Sequence, residues 1–410
     1  MKFYTNVCRY GQMILYRGYE NGKKISRKIK YKPTLFVSSN KGSWKALDGT
    51  TVEPIQFEGM RETKAWVEQN SQVAGRHMYG NIRYISTFIN DYFPGTIKFD
   101  RNLINVTTID IEVASDDGFP YPEDARKEVT AITLKNNRDN TYFTWGLGDY
   151  DIKKSIMETN RVVYKKCENE IELLKNFITH WSTPSQTPDI ITGWNTRFFD
   201  IPYLINRINK IMPGEEKKLS PWGMVDSRVL QRRGSLKREQ TYELGGIEHL
   251  DYLELFTKFG YSYGPQETYK LDHIANVVLG DSKLSFEEFQ SLHSLYLHDH
   301  QKFIDYNIKD VELVDRIEDK MGLITLCLTM AYRGGVNYGD TFGTTAIWDS
   351  IIYRDLYQDK IAVPFNEDKT KSPYPGGYVK EPQVGMHDWV CSFDLNSLYP
   401  SIIMQYNMSP

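Results

Sequence analysis

The 410-residue chain has little cysteine. Its four residues, Cys8, Cys167, Cys327 and Cys391, lie far apart and form no metal-ligand spacing. This excludes a cysteine-built metal site and reads as reduced thiols of an intracellular protein. No apolar run approaches the ~18–20 residues of a membrane-spanning helix, and the first residues carry no signal-peptide pattern, so a soluble protein with no membrane partner is expected. Low-complexity tracts and internal repeats are absent. So is a basic excess: with a net charge of −3, any nucleic acid must be met by local basic patches rather than by a whole-molecule field. Aromatic residues are plentiful, at 13% with 28 Tyr. They suffice to build cores in the two to four domains that the length allows at ~100–200 residues each.

The most informative stretch is Val106-Thr107-Thr108-Ile109-Asp110-Ile111-Glu112-Val113. β-Branched, apolar and closed by Ser115-Asp116-Asp117-Gly118, it predicts a strand. Asp110 and Glu112 then share one face, and Ile109, Ile111 and Val113 the other. Paired carboxylates repel unless a positive group sits between them, and hard divalent cations with oxygen ligands are one solution. Taken alone, the pair suits an edge strand with two solvated acids better.

Residues 1–105 read as β-rich, with strands over Lys2–Cys8, Met13–Tyr19 and Thr34–Ser38 and turns at Asn21-Gly22 and Asp48-Gly49. A basic stretch carries Lys23, Lys24, Arg27, Lys28, Lys30 and Lys32; its cationic face suits either phosphate tracking or solvent. Beyond residue 106 the pattern becomes α/β, with strands Val129–Leu134 and Tyr142–Gly146 and an amphipathic helix from Glu168 to about Trp181. Asp189–Asn195 reads as a strand entering a loop. Asp200 then stands where the N-cap of helix Ile201–Ile211 belongs, with Pro202 in the first turn. A cap and a catalytic carboxylate at a strand's end are both open readings there. Residues 226–250 suggest a hairpin with a basic tip that includes Arg232 and Arg233, and helices are expected over Leu250–Phe259 and Tyr269–Leu279. Last, a helix from His300 to Met321 places Asp310 on an apolar stripe with Phe303, Tyr306, Leu313, Val314 and Ile317. No Lys or Arg lies on that stripe. A carboxylate buried there costs several kcal/mol unless it is paired or binds metal.

Four acids and a tyrosine suit two-metal phosphodiester hydrolysis. At Asp110-x-Glu112, Asn195-x-x-x-Phe199-Asp200 and Tyr306-x-x-x-Asp310 the chain resembles the Exo I, II and III motifs of 3′–5′ proofreading exonucleases. The surrounding sequence is similar to the family B replicative DNA polymerases of T-even-type phages. Ser392-Phe393-Asp394-Leu395-Asn396-Ser397-Leu398-Tyr399-Pro400-Ser401 resembles polymerase motif A, read here as a strand (Val390–Phe393) turning into a helix. Tyr374-Pro375-Gly376-Gly377 resembles the segment that joins nuclease and polymerase halves and touches template.

This resemblance implies an α/β and α+β multidomain fold. A β-rich N-terminal domain (1–105) would be completed by an irregular helical connection over about 326–372. A ribonuclease H-like exonuclease domain with a mixed sheet (106–325) and the start of a polymerase palm (373–410) would follow. It implies that Asp110, Glu112, Asp200 and Asp310 hold two Mg²⁺ ions, for which Mn²⁺ can substitute. Tyr306 would orient water, and Asn195 and Phe119 would hold single-stranded DNA. Asp394 and the Leu395 carbonyl would hold the polymerase metal. Ser397, Leu398 and Tyr399 would meet the dNTP, and Arg232, Arg233, Tyr374, Gly376 and Gly377 would touch DNA. Motifs B and C, the thumb and the tail that grips a sliding clamp are not found in the 410 residues. The expectation is an exonuclease that polymerises on primer–template only with a C-terminal polymerase chain, in a bacterial host's cytoplasm. A stand-alone exonuclease and a non-catalytic RNA-binding regulator are the rival readings.

Overall fold

The computed structural model describes residues 1–71, 73, 77–116, 118–231, 237–365 and 376–408. The chain divides into two compact units, 1–366 and 367–410. In the first unit, strands Lys2–Tyr10, Met13–Glu20 and Lys23–Ile29 form an antiparallel sheet. Asn21 and Gly22, both at positive φ, make the tight turn into the basic strand. A second, five-stranded sheet takes in Thr34–Ser38 and, far along the chain, Ile361–Ala362. The segment after Met321 thus packs back on the first hundred residues. The Tyr332 hydroxyl donates to the Tyr4 carbonyl (2.6 Å), and the Asn337 amide donates to the Val7 carbonyl (2.7 Å).

The acidic strand Val106–Val113 lies inside a mixed six-stranded sheet. The spatial order is Val162–Lys166, Tyr142–Gly146, Val129–Asn136, Val106–Val113, Ile190–Thr192, Glu248–His249. Its antiparallel partner sets Asp110 opposite Thr133 and Glu112 opposite Ala131, and Ile190–Thr192 runs parallel on the other side. The predicted alternation holds. Ile109, Ile111 and Val113 enter a core with Leu173, Phe177 and Trp181 of helix Glu170–Ser182 and with Ile201, Leu204 and Ile205 of helix Asp200–Ile211. The opposite face is covered by helix His300–Met321, whose Ile304, Ile308 and Val311 pack with Ala131 and Tyr142. This helix is buried nearly all round, which a single stripe did not suggest. Its Asp305 meets the Tyr150 hydroxyl (2.6 Å), and its Asp315 pairs with Lys135.

Most predicted helices shift by one or two residues, where caps decide the boundary. Asn169 accepts from the Glu172 N–H to start Glu170–Ser182, and Asp251 accepts from the Leu253 N–H to start Tyr252–Phe259. Asp200 is a correction. Phe199 holds the cap position and Asp200 is the first helical residue, because the turn Asn195–Phe199 starts the helix early. The hairpin is present as Val225–Gln231 paired with Arg238–Leu244; Arg232 and Arg233 lie outside the described residues.

In the second unit the helix after motif A is present, Leu398–Tyr406, entered through Ser397 at φ +53°. The predicted strand Val390–Phe393 is not. No strand pairs with it among the described residues, and an isolated strand leaves its ladder unsatisfied. Asp394, Leu395, Ser397 and Tyr399 are exposed, as are Gly376 and Gly377, while Tyr374 lies outside the described residues.

Candidate active site and metal centre

Three elements bring the acids together. The strand supplies Asp110 and Glu112, the start of helix Asp200–Ile211 supplies Asp200, and the long helix supplies Asp310 with Tyr306. Asp110, Glu112 and Asp310 converge so that one carboxylate oxygen of each lies within 4.8 Å of the others. Asp200 stands beside them. Its Oδ1 accepts from the Ile111 N–H (3.0 Å), so the carboxylate is held against the backbone between the two strand acids. Together with Trp194, Asn195, Phe199, Lys283, Leu292 and Tyr306 they line a cleft of about 190 Å³. Gly193 allows the neighbouring strand to end there: at φ +153°, a Cβ on it would lie 2.4 Å from the Ile109 carbonyl oxygen. Next in the chain, Asn195 takes the left-handed conformation (φ +67°), its N–H bound by Asp251 (3.1 Å).

Burial is the main electrostatic fact. Glu112, Asp200 and Asp310 are almost fully covered. Burial, then the Asp310, Asp200 and Glu112 charges, drive the Asp110 carboxyl well above the usual range, against the pull of Lys283. Glu112 is pushed to about 8 by burial and then by Asp310, and Asp200 to about 7, with burial outweighing its backbone hydrogen bonds. Desolvation and like charge both favour protons in such a cluster. The alternative occupant of crowded, hard oxygen donors is a divalent cation. One observation favours it: Asp310 Oδ1 is buried and accepts no hydrogen bond among the described residues. Such an atom is costly unless something absent from the protein itself fills its lone pairs. The residues therefore fit a divalent ion.

Sequence reasoning missed two groups. Lys283 arrives from the loop after helix Leu271–Leu279. Its ammonium pairs with Asp310 Oδ2 and reaches the Tyr306 hydroxyl at 3.0 Å. Asp310 thus has a cation partner from outside its helix, and no spacing rule along the stripe could find it. Asn307 donates from Nδ2 to Asp110 Oδ2 (2.6 Å) and accepts from the Thr133 hydroxyl (2.5 Å), locking the helix to the acidic strand. Its place three residues before Asp310 was a usable signal, since the two share a helix face.

Phe119 is no core residue. It is 65% exposed and sits 5.6 Å from the Phe199 ring. These two rings, with Gly118, Pro120 and Leu292, line a second hollow of about 380 Å³ that shares Ile111, Glu112, Phe199 and Leu292 with the acidic cleft. Other sequence candidates lie elsewhere. Asp189 is fully buried under the N-terminal sheet, accepting from Tyr19 (2.9 Å) and paired with Arg17 (3.3 Å) and Lys24 (3.0 Å). In the basic stretch, Lys24 is taken by Asp189, Arg27 by Glu20 and Lys32 by Glu58, so its cationic face is weaker than its composition. The exposed Asp394 is in no group of three or more candidate ligands among the described residues, and no helix there is long and apolar enough to cross a membrane.

The chain is similar to known proteins over both of its parts. The family model described as DNA polymerase family B, exonuclease domain, matches residues 86–274, a span holding Asp110, Glu112, Asn195 and Asp200. A second, DNA polymerase family B, matches 343–410. The DNA-directed DNA polymerase of Escherichia phage RB69 is 33% identical over 437 residues, covering 100% of this chain and 47% of that protein. That of Enterobacteria phage T4 is 31% identical over 435 residues with the same coverage. The DNA polymerase delta catalytic subunit of Candida albicans is 26% identical over 318 residues, 74% of this chain and 30% of that one. The chain spans about half the length of the two phage relatives. With both domain models matched in order and the whole chain aligned to the phage enzymes, the protein belongs to the family B DNA polymerases.

Proposed function

We propose that the chain hydrolyses the 3′-terminal phosphodiester of DNA, as the proofreading exonuclease of a phage replicative polymerase. The observation that carries this reading is the convergence of Asp110, Glu112 and Asp310, with one buried Asp310 oxygen that has no hydrogen-bond partner among the described residues. Asp110, Glu112, Asp200 and Asp310 would hold two divalent ions, Mg²⁺ or Mn²⁺, which supply the charge that makes water nucleophilic and steadies the leaving 3′ oxygen. The protein's own groups do the rest. Tyr306 points its hydroxyl into the cleft, fixed by Lys283, and orients the water. Lys283 offsets part of the negative charge that a phosphate adds. Asn195 and the Phe119–Phe199 pair grip the terminal nucleotide of a single strand, the exposed Phe119 ring stacking on its base.

The second unit belongs to the polymerase reaction. Asp394 and the Leu395 carbonyl would bind its metal and Ser397, Leu398 and Tyr399 the dNTP, with Tyr374, Gly376, Gly377, Arg232 and Arg233 against primer–template. Polymerisation is assigned to the complete polymerase, for which the two phage relatives span about twice this length, with a sliding clamp as partner, in the cytoplasm of an infected bacterium.

The test is shortening of a 5′-labelled single strand by the purified chain, with Mg²⁺ and with chelator. Stepwise 3′ loss that disappears in the Asp110→Ala/Glu112→Ala variant supports the reading. Undiminished cutting by that variant overturns the site.

A further inference from the structure

Lys283 is the cation that the cleft receives from outside the acidic elements, and a loop must deliver it. That loop begins at Gly280, at φ +70°, and is fastened within four residues. Asp281 Oδ2 meets Lys309 Nζ at 2.9 Å and Arg316 at 2.5 Å, both on the long helix that carries Tyr306 and Asp310. Glu312, between them on the helix, holds the same two cations at 2.7 and 3.1 Å. The other Asp281 oxygen accepts from the Ser282 N–H (2.8 Å), and Asp272 Oδ1 accepts from the Lys283 N–H (2.8 Å). Asp281 is only about one-third exposed, and Lys309 is 13% exposed. The ion pairs are a network rather than an isolated surface contact, which is the case in which such pairs carry energy. They tie the loop to the helix beside Asp310, and Lys283, two residues on, turns back to Asp310 and Tyr306.

We propose that Asp281 is a positioning residue for the nuclease site: by clamping Lys309 and Arg316 it fixes the loop that holds the Lys283 ammonium against Asp310 and Tyr306. It touches neither substrate nor acid and acts through Lys283. The proposal rests on the exonuclease reading for its kinetic part. Its electrostatic part stands without cutting, because a cation held on Asp310 opposes any divalent ion entering the same carboxylates.

The experiment is a double-mutant cycle on the full chain with Asp281→Ala, Lys283→Met and both together, with Asp281→Asn in reserve should the alanine variant fail to fold. Mn²⁺ binding is titrated directly, and Asp110→Ala marks the binding that belongs to this site. Lys283→Met should tighten Mn²⁺ about tenfold, the scale of removing one like charge at this range. Asp281→Ala should move affinity in the same direction and add nothing in the Lys283→Met background. On labelled single-stranded DNA it should lower kcat and leave KM in place, with Asp281→Glu restoring part of the rate. An Asp281→Ala that binds Mn²⁺ like wild type, or whose effect persists in full on top of Lys283→Met, overturns the proposal. Wild type that binds no Mn²⁺ overturns this proposal and the nuclease reading together. Wild type that binds Mn²⁺ but does not cut fails only the nuclease reading, and the Mn²⁺ cycle still decides the role of Asp281.

Discussion

Glu112→Gln should make the metal-free protein more stable at pH 8 and leave it inactive as a nuclease. In the folded chain Glu112 is lifted from its ordinary 4.5 to about 8, by burial first and Asp310 second. A carboxyl whose folded-state pKa is raised contributes stability that is complete below the unfolded value, here below about 4.5. That stability is lost as the pH climbs toward 8, because the folded state must give up a proton it holds tightly. At ~1.4 kcal/mol for each tenfold change in proton affinity, the loss between pH 5 and pH 8 is about 3 kcal/mol. This is a large part of the ~5–15 kcal/mol that holds a domain together. A neutral Gln does not titrate, though burying its amide costs about 1–3 kcal/mol. At pH 5 the variant should therefore equal or trail wild type, and at pH 8 it should gain about 3 kcal/mol relative to wild type. Urea unfolding with chelator at both pH values measures it. Mg²⁺ should then stabilise wild type at pH 8, by about 2.7 kcal/mol at a hundred times its dissociation constant, and do much less for the variant. Parallel stability–pH curves for the two proteins between pH 5 and 8 would refute the argument.

Asp200→Ala removes the acceptor of the Ile111 N–H as well as a candidate ligand; cleavage should fall by orders of magnitude, whereas Asp200→Asn should keep the stability of wild type in a thermal melt and still fail to cut. Asp189→Ala leaves Arg17 buried and unmatched, since Asp189 is its carboxylate partner, and should cost about 3–5 kcal/mol in urea unfolding, with Asp189→Asn losing less. Phe119→Ala, at an exposed ring, should leave the melting temperature alone and raise KM for single-stranded DNA by the ~1–3 kcal/mol of a lost base stack, kcat being nearly kept. Tyr306→Phe removes the hydroxyl that Lys283 holds; kcat should drop at constant Mn²⁺ affinity, the latter read by direct titration.

The fold was legible where a pattern repeats along the chain. The acidic strand could be read because its period of two sorts carboxylates from Ile109, Ile111 and Val113, and the sheet needed one apolar face. The long helix could be read because its limits coincide with strong local signals, Asp299 as cap and Gly322 in the left-handed conformation at its end. Asp200 was found by its neighbours in sequence, but its geometry was misjudged. Whether such an Asp caps its own helix or lends its carboxylate to a strand 89 residues earlier is decided by the packing of that strand, which local propensity does not carry. Val390–Phe393 failed for the complementary reason. Its composition suits a strand, yet a strand is made by its partner, and none pairs with it among the described residues.

Lys283 marks the deeper boundary. No Lys or Arg shares the apolar stripe of Asp310, and from the sequence alone a buried acid so placed points to metal. That holds for the stripe and is incomplete for the protein, because the loop from 280 to 283 supplies an ammonium from outside the helix. The inference still stands, on charge. Asp110, Glu112, Asp200 and Asp310 together bring four carboxylates to one cleft, and one lysine can balance only one of them. Burial first, and then the neighbouring carboxylates, raise the pKa values of Glu112 and Asp200. Asp310 Oδ1, the oxygen that does not pair with the lysine, is buried without a hydrogen-bond partner among the described residues. Crowded, buried carboxylates with one lysine among them favour a cation that displaces protons, and the proposed metal site depends on that exchange.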